Sequence, residues 1–226
     1  AEQLAISMVN TLKSMGKKST AILTNMNTPL GRKIGNFLEI EETVECLKGK
    51  GPADVMELTN TFGAWMCVLG EKAKTIEEGK LLCKNALESG KALELFYKNV
   101  EAQGGNAAQL QKELNNRRSK YKTEIFAEQD GFLYIEAYKT GIAGCSLGVG
   151  RNKTDEAVFA DAGMILHKIS GDEVRKGDLI MEVFGKSEES IETAKPILKS
   201  ALTYSQQQDE RIKKPLLLKT ITNLYE

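Results

Sequence analysis

The sequence predicts an α/β domain that is mostly helical, followed by a mixed α+β region. Apolar residues recur at helical spacing through most of the first hundred residues. A single buried strand, 19–24, interrupts this helical pattern. After residue 121 the pattern changes to an alternation of period two, which is typical of strands.

Five amphipathic helices are predicted in the first half. The first covers 1–15 and ends at Gly16, because glycine readily takes the backbone conformation that closes a helix. Thr75 and Glu78 have the spacing of a capping box, which marks the start of the fourth. The remaining predictions are helices over 32–47, 53–70 and 75–89, and one around 93–100 that ends at Gln103.

A helix followed by the strand 19–24 is the second half of a β-α-β unit. The first strand of such a unit normally lies beside the second in a parallel sheet, and no strand precedes the helix in this sequence. We therefore expect the α/β domain to be partial, with its missing strands upstream. Ala1 stands where a start methionine would, which is consistent with this expectation.

The second half is predicted to alternate strands with two helical segments. Residues 106–121 are polar and are expected to connect the two parts, which gives a first domain over 1–105 and a second over 122–226. The predicted strands are Thr123–Ala127, Phe132–Tyr138, Met164–Ile169, Leu179–Phe184 and Pro215–Ile221, with a Gly-rich helix or loop at 140–151 and a helix over Ile191–Leu202.

Composition excludes several classes of protein. The 226 residues are enough to bury a core, and 31 basic residues balance 31 acidic ones. A net charge of zero gives no reason to expect a nucleic acid or an anionic membrane as partner. The longest apolar run, 62–70, is far shorter than the ~20 residues of a membrane span. The sequence does not open with a signal peptide, and we expect a cytoplasmic protein.

The four cysteines are at positions 46, 67, 83 and 145, and no two of them have the C-x-x-C spacing. This pattern predicts neither a zinc site nor a disulfide framework. We interpret the cysteines as reduced, buried, small apolar residues. Cys145 lies in the Gly-rich segment and is the one candidate for a reactive thiol.

Two isolated motifs have ordinary explanations. Gly148-Val149-Gly150 lacks the third glycine of a dinucleotide fingerprint, so a tight turn is favoured. His167 is the only histidine, and it alternates with Ile165 and Ile169 along a predicted strand. A packed, hydrogen-bonded histidine is therefore favoured over a catalytic base.

A hairpin of the form Gly-Asp-x-Val-x-x-Gly-Asp occupies 171–178. It resembles the hammerhead of biotinyl and lipoyl carrier domains, in which a lysine in an exposed turn carries the cofactor. Lys186 lies near the corresponding place, but Gly185-Lys186-Ser187 replaces the Met-Lys-Met of biotin carriers. We interpret the hairpin as architecture and Lys186 as a surface lysine.

The acidic residues Glu39, Glu41, Glu42 and Glu45 follow a Pro29-Leu30-Gly31 turn. A solvated helix face is the default for such a cluster. The carbonyls of the turn and the carboxylate of Glu42 are hard oxygen ligands, however, and such ligands suit a hard cation. Both interpretations stay open on these residues alone.

Several motifs, in order, resemble pyrimidine-nucleoside phosphorylase and its relative thymidine phosphorylase. The resemblance covers essentially the whole sequence. The matching motifs are Met26-Asn27-Thr28-Pro29-Leu30-Gly31, Gly35-Asn36, Leu38-Glu39-Ile40, Leu47-Lys48-Gly49, Gly51-Pro52, Ser89-Gly90-Lys91-Ala92-Leu93, Ala102-Gln103-Gly104-Gly105, Leu147-Gly148-Val149-Gly150-Arg151, Leu166-His167-Lys168 and Gly171-Asp172.

The resemblance implies a reaction in which phosphate, as co-substrate, attacks the anomeric carbon of a thymidine- or uridine-type nucleoside. The products are the free base and a (deoxy)ribose 1-phosphate. The sugar gains oxocarbenium character, so the site must hold an anion and stabilise charge on the departing base. The family places this chemistry between a helical and an α/β domain, which close on the substrates, and its members are expected to be homodimers.

The family's phosphate and base sites precede the matched region, so the resemblance places no catalytic residue in this chain. The chain corresponds to a C-terminal half, and we expect it to be inactive without the N-terminal half. A potassium site is implied, formed by the carbonyls of Leu30 and Lys33 and by the carboxylate of Glu42. Lys33, Asn25 and Phe37 depart from the family pattern, and the Lys33 ammonium is a potential competitor for the ion.

Two alternatives stay open from the sequence. The chain is either part of a phosphorylase or a free-standing, non-enzymatic paralogue that serves as a binding module. A carrier protein modified on Lys186 is a third hypothesis.

Overall fold

The computed structural model describes residues 1–151 and 153–224 and confirms the mixed α/β character of the chain. Its helices are α1 (Glu2–Ser14), α2 (Asn36–Leu47), α3 (Ala53–Leu69), α4 (Ile76–Glu88), α5 (Lys91–Ala102), α6 (Ala107–Glu113), α7 (Ala137–Leu147) and α8 (Glu188–Ala201). Its strands are β1 (Thr20–Thr24), β2 (Lys33–Ile34), β3 (Tyr121–Phe126), β4 (Gly131–Ile135), β5 (Gly163–Leu166), β6 (Glu173–Val174), β7 (Leu179–Gly185), β8 (Leu202–Ser205) and β9 (Leu217–Thr222).

The strands of the described residues form three antiparallel sheets. One sheet has the order β2-β5-β7-β3, a second has the order β6-β4-β8, and β1 pairs with β9 alone. Thr20 lies opposite Thr222, and their hydroxyls are 2.9 Å apart. A parallel neighbour for β1 stays a prediction, as do the domain boundaries at 105 and 122. Two pairings, β1 with β9 and β2 with β5, join early segments to late ones.

The hydrophobic core lies in the second half of the chain. Helices α7 and α8 pack against each other, and α8 also contacts β3, β7 and β8. Alternating side chains of the strands fill the space beneath these helices, as expected of sheets with one buried face. The largest fully buried apolar side chains of this core are Ile125, Leu133, Ile135, Leu147, Met164, Ile180, Met181, Val174 and Leu198.

The predicted helix over 32–47 is wrong at its start. Lys33 and Ile34 instead form β2, and α2 begins at Asn36. Gly35 ends the strand with φ +131°, and a Cβ on it would stand 2.8 Å from the Cα of Gly163. A Cβ on Gly163 would in turn overlap the carbonyl oxygen of Ile34. A pairing partner some 130 residues away thus decides the local structure.

Helices α3 and α4 form a tightly packed hairpin. A Cβ added to Gly79 would stand 2.7 Å from the carbonyl oxygen of Ala64, so the two helix backbones nearly touch. The Thr75 hydroxyl accepts a hydrogen bond from the Glu78 N–H at 3.1 Å, which confirms half of the predicted capping box. The Glu78 carboxylate reaches back to the N–H of Lys74 instead of Thr75.

Other segments also differ from the sequence prediction. The expected connector contains α6, which Asn106 caps through the N–H of Gln109. The strand predicted over Phe132–Tyr138 stops at Ile135, since α7 begins two residues later. The Gly-rich segment is that helix, and Gly148 ends it with φ +102°, which confirms a turn at the G-x-G.

Candidate cation site

The turn that leads into β2 lies directly against the carboxylate of Glu42. Gly31 has φ +73°, which favours glycine, and a Cβ at this position would overlap Glu42 Oε2. The same Cβ would also stand 2.9 Å from a methyl group of Val55 on α3. Only a residue without a side chain allows the turn to approach the carboxylate this closely.

Backbone groups of the turn hold Glu42 in place. Glu42 Oε1 accepts hydrogen bonds from the N–H of Arg32 at 2.8 Å and from the N–H of Lys33 at 3.1 Å. Within the described chain, no hydrogen bond reaches Glu42 Oε2. One oxygen of this carboxylate therefore anchors the turn, and the other has capacity for a further ligand.

The burial of Glu42 disfavours its charge. The residue is 8% exposed, and burial raises the pKa of its carboxyl above the ordinary 4.5. The nearby charge of Asp54 raises this pKa further, whereas the N–H groups of Arg32 and Lys33 act in the opposite direction. A cation beside Oε2 would relieve the cost of the buried negative charge.

Asp54 is a site residue that the sequence reasoning missed. Its Oδ2 accepts a hydrogen bond from the N–H of Gly31 at 2.9 Å, so the turn lies between two carboxylates. Asp54 lies in the first turn of α3, and the only signal for it was its position two residues after Pro52.

The ammonium of Lys33 is engaged elsewhere. Lys33 Nζ donates to Glu41 Oε2 at 3.0 Å, and Glu41 is only 2% exposed. Arg118 binds the same carboxylate through two hydrogen bonds, and the N–H of Asn115 adds a fourth donor at 2.8 Å. The Lys33 ammonium is therefore paired with Glu41, so we no longer expect it to compete with a cation at Glu42.

The carbonyl of Lys33 faces the same side as Glu42. The Arg32 carbonyl accepts a hydrogen bond from Leu166 at 2.7 Å, so Lys33 occupies the alternate position, at which backbone groups point away from β5. Its N–H donates to Glu42 on that free edge, and its carbonyl points in the same direction. The edge of β2 thus presents an oxygen ligand beside the carboxylate.

Leu30, Lys33 and Glu42 line one cavity of about 610 Å³. Other parts of the cavity wall come from α2, α3 and α7. Among the described residues, no group of three or more His, Cys, Asp or Glu side chains is arranged to hold a metal ion. Any cation site here depends on backbone carbonyls together with Glu42, and such oxygen ligands suit a hard cation.

The four acidic residues do not form one solvated face. Glu41 and Glu42 are buried, so that interpretation is wrong for them. Glu39 is exposed and accepts from the N–H of Gly35 at 3.1 Å, and Glu45 pairs with Lys48. Two of these glutamates in α2 are therefore buried and hold other segments in place, and the other two lie at the helix surface.

The two remaining departures from the family pattern have structural roles. Phe37 is 7% exposed, and the guanidinium of Arg117 lies 5.0 Å from its ring centre. Asn25 accepts a hydrogen bond from the N–H of Asn27 at 3.1 Å and so stabilises the start of the turn.

His167 and Lys186 lie outside this site. His167 is exposed rather than packed, which corrects that part of the prediction. Its predicted hydrogen bond is present, since its Nε2 lies 2.9 Å from Glu182 Oε2. Lys186 is a surface lysine, as predicted, and its ammonium lies 5.8 Å from the ring centre of Phe159.

All four cysteines are free and half-buried, which corrects the expectation of full burial. Burial raises the pKa of the Cys46 thiol, and a Cβ at Gly51 would overlap its sulfur. Cys145 lies within α7, so each of the four belongs to a helix.

The helices of the described residues include no candidate for a membrane span. None of them combines the length and the apolar character that crossing a bilayer requires.

Comparison with known proteins identifies two family matches in sequence order. Residues 1–93 match the family described as "Glycosyl transferase family, a/b domain". Residues 133–205 match the "Pyrimidine nucleoside phosphorylase C-terminal domain". The first match contains the turn, β2 and Glu42, and the second contains α7, α8 and most of the core.

Curated relatives extend the similarity over almost the whole chain. The chain is 34% identical over 223 residues to a "Pyrimidine-nucleoside phosphorylase" of Staphylococcus aureus (strain bovine RF122 / ET3-1), covering 98% of this chain and 51% of that protein. The protein of the same name from strain USA300 gives the same identity and coverage. The one from strain MSSA476 is 34% identical over 198 residues, covering 87% of this chain and 46% of that protein.

The chain spans about half the length of the curated relatives it matches. Two family matches in the same order and an alignment over 98% of the chain agree on one assignment. The chain belongs to the pyrimidine-nucleoside phosphorylase family.

Proposed function

We propose that the chain acts as part of a pyrimidine-nucleoside phosphorylase. In this reaction phosphate attacks the anomeric carbon of a thymidine- or uridine-type nucleoside, the bond to the base breaks, and a (deoxy)ribose 1-phosphate forms. The observation that carries the proposal is the 34% identity over 223 residues to proteins of that name. The enzyme is a pentosyltransferase, in agreement with the glycosyl transferase family match.

In this proposal the chain has a structural rather than a catalytic role. No catalytic residue is assigned to the described residues, and phosphate and nucleoside are proposed to bind to the part of the relatives that the chain does not match. The chain instead supplies the buried turn at Gly31, the network around Glu41 and the core on which α7 and α8 pack. We therefore propose that the chain alone does not cleave nucleosides.

We further propose that a potassium ion binds at Leu30, Lys33 and Glu42. Three observations support this site: the free Glu42 Oε2, the outward carbonyl of Lys33, and the commitment of the Lys33 ammonium to Glu41. When bound, the ion would supply positive charge to a buried carboxylate and would stiffen the turn. Potassium-dependent melting, described in the Discussion, tests it.

The alternatives from the sequence find less support. The carrier hypothesis needs a lysine displayed for modification, and neither matching family is a carrier domain. A non-enzymatic paralogue is not favoured, since the curated relatives bear the name of the enzyme. Dimerisation of the whole enzyme stays a prediction.

The activity proposal is tested by phosphorolysis assays. The purified chain is incubated with phosphate and either thymidine or uridine, and the released base is measured by chromatography. We expect no release above the protein-free control. Co-expression with a polypeptide that corresponds to the unmatched half of the Staphylococcus aureus relatives is expected to give phosphate-dependent release of base.

Two results would count against the proposal. Base release by the chain alone would show that its own residues catalyse the reaction. A folded, co-purifying pair of polypeptides that releases no base with either nucleoside would contradict the assignment to phosphorolysis.

A further inference from the structure

One apolar surface runs from the cavity beside Glu42 along α3. Val55 and Thr59 line the cavity, and Phe62 and Met66 continue the same face of the helix at spacings of three and four residues. Phe62 is 41% exposed and Met66 is 73% exposed. Apolar residues at this spacing form the face with which a helix packs against another element. We call the cavity together with Phe62 and Met66 the docking surface.

The cavity is too large for an ion alone. Its volume is about 610 Å³, whereas one water molecule of the liquid takes about 30 Å³. Apolar side chains form much of its wall, among them those of Leu30, Ile34, Leu47 and Val55. The cavity therefore suits a mostly apolar occupant, with or without an ion at Glu42.

Gly141, in the middle of α7, also lines this cavity. A Cβ at this position would have no atom of another part of the described chain within 4 Å. Gly63, Gly79 and Gly144, the other glycines inside the described helices, each have such a neighbour. A glycine inside a helix costs stability relative to alanine, and within the described chain no close contact explains Gly141. Close approach of a separate polypeptide would explain it.

The extent of the docking surface favours a polypeptide as its occupant. A small molecule in the cavity would leave Phe62 and Met66 exposed, whereas a polypeptide covers both parts at once. A two-fold dimer of this chain would place the surface against its own copy, and two facing cavities do not fill each other. The chain covers 51% of its relatives, so those proteins contain about as much polypeptide again.

We propose that the docking surface binds the polypeptide that corresponds to the unmatched half of the relatives. This inference rests on the proposed function, since it takes the chain to be part of a phosphorylase. A segment of the partner with small, apolar side chains enters the cavity beside Gly141, and further apolar side chains cover Phe62 and Met66. The proposed potassium ion leaves most of the cavity to this segment.

Capture by the partner tests the proposal. The chain is co-expressed with a tagged polypeptide that corresponds to the unmatched half of the Staphylococcus aureus relatives, and the captured chain is measured. Gly141→Leu fills part of the cavity and Met66→Glu places a charge on the apolar face, so each is expected to reduce capture at least about tenfold. Leu95→Glu is the matched control and is expected to keep full capture, since Leu95 on α5 is 67% exposed and does not line the cavity.

Melting of the separate chain shows whether each variant folds. Leucine is a better helix former than glycine and has open space at position 141, so Gly141→Leu is expected to raise the Tm by about 2–4 °C. Met66 and Leu95 are exposed, so their substitution by glutamate is expected to change the Tm by less than about 2 °C. A loss of capture at an unreduced Tm reports on docking rather than on folding.

Alkylation of Cys46 gives a footprint of the occupant, because Cys46 lines the cavity and Cys145 does not. The separate chain and the captured pair are treated with N-ethylmaleimide at mildly alkaline pH and digested with trypsin. Cleavage after Lys33, Lys48, Lys139 and Arg151 places Cys46 in 34–48 and Cys145 in 140–151. We expect the rate at Cys46, divided by the rate at Cys145, to be at least about fivefold lower in the pair.

Four outcomes would overturn the inference. The first is that the wild-type chain is not captured, and the second is full capture of both Gly141→Leu and Met66→Glu. An unchanged ratio of alkylation rates would show that the partner does not enter the cavity. Self-association of the separate chain that Met66→Glu abolishes would assign the surface to a second copy.

Failure of the proposed function gives a different result. A pair that depends on Gly141 and Met66 for capture but releases no base would contradict phosphorolysis and support the docking surface. A pair that releases base, and whose capture neither substitution weakens, would support phosphorolysis and contradict the docking surface.

Discussion

Arg118 binds Glu41 through two hydrogen bonds, of 2.7 Å and 2.9 Å, across 77 residues of sequence. Glu41 is 2% exposed and also accepts from Lys33 and from the N–H of Asn115. Burial by itself raises the pKa of this carboxyl, but the hydrogen bonds of Arg118, Lys33 and Asn115 together lower it below 4.5. The contact fastens the segment after α6 to α2 and β2.

Arg118→Ala is expected to reduce the free energy of unfolding by about 3 kcal/mol, because it leaves a buried carboxylate with fewer donors. Urea denaturation measures the change. Arg175→Ala is the matched control, since Arg175 is exposed, and it is expected to change stability by less than about 0.5 kcal/mol. Equal effects of the two substitutions would contradict the importance of the Glu41 contact.

The two buried glutamates are expected to give opposite dependences of stability on pH. The folded-state pKa of Glu41 is lowered, so its stabilisation is present above its unfolded pKa and is lost as the pH falls through the folded pKa. The folded-state pKa of Glu42 is raised, so the folded chain holds its proton more tightly and loses stability as the pH rises from about 4.5 through the folded pKa.

Thermal melting of wild type and Glu42→Gln in potassium-free buffer isolates the second effect. The variant lacks the titrating group, so its Tm relative to wild type is expected to increase from pH 4.5 towards neutrality. A difference in Tm that stays constant over this range would show that the Glu42 pKa is the same in the folded and unfolded chain.

Potassium is expected to stabilise the chain through Glu42. Replacing sodium chloride by potassium chloride at equal ionic strength is expected to raise the wild-type Tm by about 2–4 °C, which corresponds to roughly 1 kcal/mol of binding free energy. Glu42→Ala is expected to abolish the gain, and Glu45→Ala, on the same helix, is expected to retain it. A gain that persists in Glu42→Ala would refute the site.

Two glycines with nearly the same positive φ provide a matched test of the turn. Gly31 has φ +73° and Gly49 has φ +75°, but a Cβ at Gly49 would have no atom within 4 Å, whereas one at Gly31 would overlap Glu42. Gly49→Ala is expected to cost about 1 kcal/mol for the backbone alone. Gly31→Ala is expected to cost about 3 kcal/mol, since it also displaces the carboxylate.

Urea denaturation of both variants measures the difference, and the potassium-dependent gain in Tm is expected to survive only in Gly49→Ala. Equal losses in the free energy of unfolding for the two substitutions would contradict a close contact between the turn and Glu42.

Local sequence signals predicted the long helices well, because their information lies within each segment. The apolar periodicity of α3 and the cap at Thr75 are examples. The start of α2 could not be predicted in this way, since Lys33 and Ile34 become a strand only through pairing with β5. The strand predicted over Met164–Ile169 stops at Leu166, and the one predicted over Phe132–Tyr138 stops at Ile135.

The potassium site that the family resemblance implies stays a prediction. Leu30, Lys33 and Glu42 line one cavity. The burial of Glu41 was not foreseen, because its partner Arg118 lies in a polar stretch that has no periodicity of its own. Asp54 was missed because its role depends on a contact with a turn 23 residues earlier in the sequence.

The pairing of β1 with β9 has a consequence for synthesis on the ribosome. Thr20 and Thr222 are 202 residues apart, so β1 leaves the ribosome long before its partner exists. At about 5–20 residues per second, this interval is roughly 10–40 s. During that time the nascent chain presents an unpaired strand edge, the kind of surface on which polypeptides associate wrongly. Protection of β1 by chaperones is therefore most needed during this interval.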